Sequence, residues 1–289
     1  MRREFANICL DLVNKDSKAV VMVGDISHYL LRDTQMAAPE RFYNIGICEQ
    51  SMVSLASGMA IEGLKPVLHT IAPFLVERAY EQIKVDIGYQ DLNVTLVSVG
   101  GTYDYSDLGC THHCYGDIAL MRTIPNMQIF EPGNKKEFRQ LFESVWDLDC
   151  PKYFRLSAQA HSIDLDVQPG KINIVRESKN GNYVFVCGHF LEDVMCDKDV
   201  GVLYMPTLSH ISTDSVREID LLLQNCNKIF TVENHFKVGG LGDIICDTFG
   251  VKVKRIGLDR RFITEYGSYD DLRTAAGLNR DQILEKINE

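Results

Sequence analysis

Residues 19–25 read Ala-Val-Val-Met-Val-Gly-Asp, a short apolar, β-branched run that stops at a glycine and an aspartate. Comparable runs recur along the first half of the chain, at residues 66–70, 93–99 and 127–130. Between them, residues 5–12 and 52–59 carry apolar side chains at helical spacing. Strands that are apolar on both faces and alternate with helices predict a parallel α/β sheet.

The same pattern returns in the second half of the chain. A polar stretch that contains Pro169-Gly170 and Gly181 interrupts it. The later apolar runs lie at residues 183–188, 200–205, 228–233 and 253–256. We therefore predict the α/β fold class, with two parallel or mixed-sheet domains at residues 1–165 and 181–289 and a linker over residues 166–180.

Composition excludes several classes of protein. The 289 residues are 45% hydrophobic and 24% charged, as in ordinary globular chains. A net charge of −10, with no long basic run, disfavours nucleic acid as a partner. No apolar stretch approaches the roughly 18 residues that span a bilayer. The nine cysteines show no disulfide-framework spacing, so we expect reduced thiols and a cytoplasmic protein.

Two short motifs suggest ligands that the spacing does not support. Residues 110–114, Cys-Thr-His-His-Cys, hold four potential zinc ligands, but structural zinc sites draw their ligands from separated pairs. Residues 239–242, Gly-Gly-Leu-Gly, lack the spacing of a dinucleotide-binding loop, and tight packing between a strand and a helix explains them better. We expect no metal site in this chain.

Residues 41–50 place a carboxylate, Glu49, in the first turn of an apolar helix that is rich in small residues. The helix N-terminus favours the ionised carboxylate, whereas burial favours the neutral acid. On the residues alone, a capping carboxylate and a catalytic one both remain open.

Several motifs, taken together and in order, resemble the pyrimidine-binding domain of transketolase. They are Phe74 and residues 41–50, 60–66, 78–83, 109–113, 117–122 and 124–127. Residues 233–235, 239–242, 255–257 and 266–267 resemble the C-terminal domain of the same family. The resemblance covers essentially the whole chain. It implies a thiamine-diphosphate enzyme that moves a two-carbon ketol unit between sugars or sugar phosphates.

The resemblance also implies roles for residues near the cofactor. Glu49 matches the catalytic glutamate that hydrogen-bonds N1′ of the aminopyrimidine, and Phe74 matches the aromatic residue that stacks on that ring. Asp25 matches a carboxylate near the cofactor at the subunit interface. Ile71 stands where a second aromatic is common, and Arg78 belongs to a cofactor-proximal motif.

On the substrate side, His112 matches the catalytic histidine of the substrate channel, and His113 stands where glutamine is more usual. Ala158 replaces the arginine that grips the sugar phosphate in the family. Arg155 and Arg2 are the candidates to supply the missing charge. The alternative is a substrate that carries no ordinary pentose phosphate.

The chain lacks the Gly-Asp-Gly motif on which transketolases bind Mg²⁺ and the cofactor diphosphate. The resemblance therefore implies the C-terminal half of a split transketolase. An N-terminal, diphosphate-binding subunit would hold the Mg²⁺, in a heterotetramer built on a dimer. Three alternatives remain: a subunit like 1-deoxyxylulose-5-phosphate synthase, a 2-oxo acid dehydrogenase beta subunit, and a non-catalytic structural half.

Overall fold

The structure is a computed structural model that describes residues 1–289. Its first half contains a six-stranded sheet in which every pair is parallel, in the order β2-β1-β3-β4-β6-β5. The strands are β1 (Ala19–Val23), β2 (Phe42–Asn44), β3 (Lys65–Ile71), β4 (Thr95–Val99), β5 (Gln128–Phe130) and β6 (Lys152–Leu156). All five residues of β1 and of β4 are buried, because helices cover both faces of the sheet.

Six helices accompany this sheet. They are α1 (Arg2–Lys15), α2 (Arg32–Ala37), α3 (Glu49–Ile61), α4 (Tyr80–Gln82), α5 (Asp117–Arg122) and α6 (Lys135–Val145). Two π-helical turns, Pro73–Glu77 and Ile83–Gly88, flank α4. Helix α6 begins where the side chain of Asn134 accepts hydrogen bonds from the backbone N–H groups of Lys136 and Glu137.

The second half contains a five-stranded mixed sheet in the order β11-β10-β8-β9-β7. Its strands are β7 (Asn173–Arg176), β8 (Asn182–Val186), β9 (Gly201–Tyr204), β10 (Lys228–Phe236) and β11 (Lys254–Leu258). Its helices are α7 (Leu191–Val194), α8 (Thr213–Leu223), α9 (Leu241–Phe249), α10 (Tyr269–Ala275) and α11 (Arg280–Asn288). The two sheets with interleaved helices confirm the predicted α/β class.

The predicted linker, residues 166–180, needs a correction. It contains β7, which pairs antiparallel with β9 at the edge of the second sheet. All four residues of this strand are only half-buried, so its sequence lacks the apolar run that marks the other strands. The segment is therefore part of the second sheet as well as a connection.

The two halves pack against each other through shared apolar clusters. One cluster of 42 buried residues includes Phe5 and Phe154 from the first half and Val184 and Phe230 from the second. The rings of Phe154 and Phe130 stack with centroids 4.7 Å apart within it. No helix of the structure combines the length and the apolar character that crossing a bilayer requires.

Candidate active site

The carboxyl ends of β1, β2, β3 and β4 lie side by side in the first sheet. Each strand leads into a loop or turn at this edge, and α3 begins just after the β2 loop. In parallel α/β sheets this edge is where ligands bind, because the loops that follow the strands converge there. Most of the residues that the resemblance singled out lie on these segments.

Glu49 is the first residue of α3 and is fully buried. Arg78 donates a hydrogen bond of 2.6 Å from Nη1 to Glu49 Oε2. Glu49 Oε1 is buried and has no hydrogen-bond partner in the protein. Gly24 leaves room beside it, since a Cβ there would lie 3.6 Å from Oε1 and 3.1 Å from Thr70. The carboxyl group is therefore held through one oxygen, and the other is free to bind a ligand.

The side chains of Arg78, Phe74 and His112 continue this arrangement. The guanidinium carbon of Arg78 lies 4.3 Å from the centroid of the Phe74 ring. The ring of His112 meets Phe74 edge-on, with centroids 5.2 Å apart and planes at 73°. Phe74 belongs to a π-helical turn, a distortion that is frequent at functional sites. The structure thus brings Glu49 and these three residues together.

Asp25 and Ile71 lie at the edge of this group. Asp25 is exposed in the β1 loop, and its backbone has a left-handed φ of 54°. Asn44 and His28 donate hydrogen bonds to its carboxylate, and these bonds, that of Asn44 first, hold the pKa of Asp25 below its ordinary value. Ile71, half-buried at the end of β3, faces β4, because a Cβ on Gly100 would lie 3.3 Å from its Cγ2.

The two adjacent histidines of the β4 loop face different surroundings. His112 is half-buried, and its Nδ1 lies 3.0 Å from the hydroxyl of Thr111. His113 is buried, and its Nδ1 lies 2.6 Å from the hydroxyl of Tyr115. Burial lowers the pKa of His113, so its ring is neutral at pH 7. His112 faces the site, whereas the predicted substrate residue His113 faces the protein interior.

Arg155 is not available to a substrate, which corrects the expectation that it supplies a charge for phosphate. Its side chain is 2% exposed, and its three donor nitrogens all have partners in the protein. Nε donates to Asp117, Nη1 to Glu131, and Nη2 to Thr102 and to the backbone carbonyl of Asn234. These bonds join β6 to α5, β5, the β4 loop and the second sheet.

Arg2 lies elsewhere, in a cleft of about 620 Å³ between the start of α1 and the ends of β4 and β6. Arg3 and Lys135 also line this cleft, and so does Ala158. Asp104 lies between them and accepts a 2.8 Å hydrogen bond from the backbone N–H of Ala158. Burial raises the pKa of Asp104 to about 6. Three cationic side chains therefore surround the position where the family arginine is missing.

A chain of hydrogen bonds fixes Arg2. The Nδ1 of the buried His69 lies 2.9 Å from the backbone carbonyl of Val97 and donates to it, because a carbonyl only accepts. Its Nε2 then accepts from the hydroxyl of Ser27 at 2.9 Å. That hydroxyl in turn accepts from Arg2 Nη2 at 3.0 Å. Burial lowers the pKa of His69 to about 4, which keeps the ring neutral and the direction of the chain constant.

Sequence reasoning missed Lys135, Ser27 and His69. Lys135 is the first residue of α6, and the basic pair of residues 135 and 136 gave no sign that it faces the cleft. His69 lies within a buried strand, where a single polar residue is compatible with many structural roles. The structure shows no group of three or more His, Cys, Asp or Glu side chains that could hold a metal ion.

Comparison with known proteins identifies the family. Residues 1–162 match the family described as "Transketolase, pyrimidine binding domain". One of the two subunits of an apulose-4-phosphate transketolase, from Actinobacillus succinogenes, is 31% identical over 265 residues, which cover 86% of this chain and 84% of that protein. The corresponding subunit from Phocaeicola vulgatus is 29% identical and covers 100% of this chain.

Two further comparisons extend the likeness. The 1-deoxy-D-xylulose-5-phosphate synthase of Thermus thermophilus is 30% identical over 86% of this chain, which matches 41% of that longer protein. A solved structure described as "Split gene transketolase, inactive beta4 tetramer" superposes with a TM-score of 0.85 at 25% identity. It covers 99% of this chain and 96% of its own. Together with the matched pyrimidine-binding domain, these likenesses show that the chain belongs to the transketolase family.

Proposed function

We propose that this chain is one subunit of a two-chain, thiamine-diphosphate-dependent transketolase, which transfers a two-carbon ketol unit between sugars. The observation that carries the proposal is the buried carboxyl of Glu49. Arg78 holds Oε2, while Oε1 is buried without a partner. An unpaired buried carboxyl oxygen is costly unless a ligand satisfies it. The residues around it therefore fit a ligand that carries a ring nitrogen.

The aminopyrimidine of thiamine diphosphate is such a ligand, and the cofactor supplies the reactive carbon that carries the two-carbon unit. Glu49 Oε1 would hold or accept a proton at N1′ of that ring. Arg78 keeps the carboxyl in a fixed orientation through its 2.6 Å bond. Phe74 offers an aromatic face, and the guanidinium of Arg78 packs against the same side chain. Asp25 and Ile71 form the rim of the same pocket.

His112 would contact the oxygens of the sugar. It lies against Phe74, 5.2 Å between ring centroids, and it is half-buried rather than solvated. The aromatic ring of Tyr105, whose centroid is 6.2 Å from that of His112, connects it to the cleft of Arg2. A sugar bound at His112 therefore has a path toward the cationic cleft.

The cleft supports a phosphorylated sugar as substrate. Arg2, Arg3 and Lys135 surround the position of Ala158, so they replace the charge that this residue lacks. Charge-assisted hydrogen bonds from such groups are the strong ones in phosphate recognition. The relatives in Actinobacillus succinogenes and Thermus thermophilus are both named for phosphorylated sugars.

The partner is proposed from the same relatives. The Actinobacillus succinogenes protein is one subunit of its transketolase, and the similar solved structure is a split-gene transketolase. We infer that a second chain binds the cofactor diphosphate with Mg²⁺, in a heterotetramer built on a dimer. All nine cysteines are free, which supports a reducing, cytoplasmic environment.

The test is reconstitution. The purified chain alone is expected to bind thiamine diphosphate weakly by calorimetry and to show no ketol transfer. Adding the diphosphate-binding chain and Mg²⁺ is expected to restore both. Tight, Mg²⁺-dependent binding by the chain alone would contradict the proposed division of labour.

A second candidate is the reaction of 1-deoxyxylulose-5-phosphate synthase, because such synthases are 29–30% identical to this chain. The reconstituted complex distinguishes the two reactions. Pyruvate as donor would release CO₂ in the synthase reaction, whereas a ketose donor would yield a shortened aldose in the transketolase reaction. The assembled Glu49, Phe74 and His112 argue against a non-catalytic half.

A further inference from the structure

Thr102 has an unusual backbone at the start of the loop that carries His112. Its φ is 56°, in the left-handed region that β-branched residues rarely adopt, and it is fully buried. Its N–H donates to the carbonyl of Cys114 at 2.7 Å, and the N–H of Cys114 donates back at 2.8 Å. This isolated bridge closes residues 103–113 into one loop. Such conformations persist only where the surroundings hold them.

The surroundings of Thr102 include the second half of the chain. Its hydroxyl accepts a 2.7 Å hydrogen bond from Arg155 Nη2 and donates to the backbone carbonyl of Asn234 in β10. Arg155 Nη2 also donates to that carbonyl at 3.0 Å. The remaining donors of Arg155 are paired with Asp117, just beyond the loop, and with Glu131. Thr102 is thus fixed between the first sheet and the second.

Other residues of the second half pack along the same segment. The N–H of Phe236 donates to the carbonyl of Tyr115 at 3.0 Å, and their rings lie 5.2 Å apart. Tyr266 lies over Gly109, where a Cβ would come within 2.6 Å of the tyrosine hydroxyl. The segment is therefore restrained by the second half at several points, while His112 projects toward Phe74.

We propose that Thr102 is a positioning residue, and that the second half of the chain, acting through the carbonyl of Asn234, sets the position of His112. The hydroxyl of Thr102 fastens the closed loop to β6 and β10. The consequence for turnover rests on the proposed function. The consequence for the loop does not.

The kinetic test uses the reconstituted two-chain complex. Thr102→Val keeps the shape but removes the hydroxyl, and Arg155 keeps its bond to Asn234, so the fold is expected to survive. We expect kcat/KM to fall about 10- to 100-fold, the range that a small displacement of a reacting group produces. Thr102→Ser keeps the hydroxyl and is expected to restore most of this loss.

Two readouts separate positioning from general damage. Hydrogen–deuterium exchange at C2 of thiamine diphosphate depends on Glu49 and is expected to stay at the wild-type rate in Thr102→Val. In a His112→Ala background, Thr102→Val is expected to add little further loss, because both changes act through one histidine. Parallel loss of C2 exchange, or fully additive effects, would overturn the proposal.

The loop is also measured without any activity. In the purified chain, Thr102→Val is expected to speed backbone amide exchange in residues 103–113 by about tenfold, with β1 and β3 unchanged. Thr102→Ser should resemble the wild type. Unchanged exchange in the loop, or faster exchange throughout, would overturn the proposal. If the wild-type complex shows no turnover, the proposed function fails while this measurement still decides the role of Thr102.

Discussion

Glu49 and Arg155 are both charged residues buried in the first half of the chain, but their hydrogen bonding differs. Every donor nitrogen of Arg155 has a partner within the protein, so its side chain joins strands and loops. Glu49 has one oxygen paired with Arg78 and the other unpaired. Full pairing indicates a structural role and incomplete pairing indicates a ligand. The sequence alone could not separate these cases, because pairing depends on contacts between residues distant along the chain.

The residue-scale prediction concerns Arg2. Arg2→Met is expected to lower kcat/KM for a phosphorylated aldose by about 10- to 150-fold, since a charge-assisted hydrogen bond contributes about 1.5–3 kcal/mol. An unphosphorylated aldose is expected to be used as well as by the wild type. The control is Arg217→Met on α8, an exposed arginine far from the cleft along the fold. Equal losses for the two aldoses in Arg2→Met would show that Arg2 does not bind phosphate.

At the scale of elements, the strands with continuous apolar runs were predicted and the others were not. β1 and β4 are buried throughout, so hydrophobicity marks them in the sequence. β6 carries Lys152 and Arg155, whose buried charges are compensated by partners that sequence does not reveal. β7 is an edge strand with half-buried residues. Local pattern therefore predicts the central strands better than those whose polar residues are satisfied by tertiary contacts.

Family motifs predicted much of the site, and tertiary contacts supplied the rest. Glu49, Phe74 and His112 were found because their motifs occur in order, and the structure brings them together. The pair Ser27–His69 behind Arg2 was not found, since its three bonds join α1 to two strands. The roles of all these residues in the reaction stay predictions.

The element-scale prediction concerns the start of α6. Asn134→Ala removes the side chain that accepts from two backbone N–H groups, at 2.9 and 3.0 Å. We expect the free energy of unfolding to fall by about 1 kcal/mol, as for other N-caps. Asn134→Asp keeps the acceptor oxygen and should remain near the wild type in urea titrations. An unchanged unfolding midpoint in Asn134→Ala would mean that the cap contributes nothing measurable.

At the scale of the whole molecule, several buried histidines make the fold sensitive to acid. Burial lowers the pKa of His69 to about 4, that of His189 to about 3 and that of His235 to about 4. In the unfolded chain a histidine has a pKa of about 6.5. Between these values the unfolded state binds more protons, so stability falls as the pH falls below about 6.5.

The molecule-scale prediction follows from that difference. For His69 alone, acidification from pH 7 to pH 5 is expected to remove about 2 kcal/mol of unfolding free energy. Urea titrations at both pH values would measure the loss, and His69→Gln should reduce it. The exposed His210 provides the control, with His210→Asn expected to leave the pH dependence as it is in the wild type. A stability that does not change between pH 7 and pH 5 would contradict the neutral, buried histidines.

The central claim is that Glu49 holds or moves the proton at N1′ of the cofactor ring, and hydrogen–deuterium exchange at C2 of thiamine diphosphate measures it most directly. The measurement is made by NMR on the reconstituted two-chain complex, with the exposed Glu81→Gln as a matched control. Glu49→Gln keeps the shape and the neighbouring Arg78 but cannot ionise. The predicted result is a loss of about 10²–10⁴-fold in exchange rate, with assembly intact and Glu81→Gln unaffected. Exchange at the wild-type rate in an assembled, cofactor-bound Glu49→Gln complex would contradict the account.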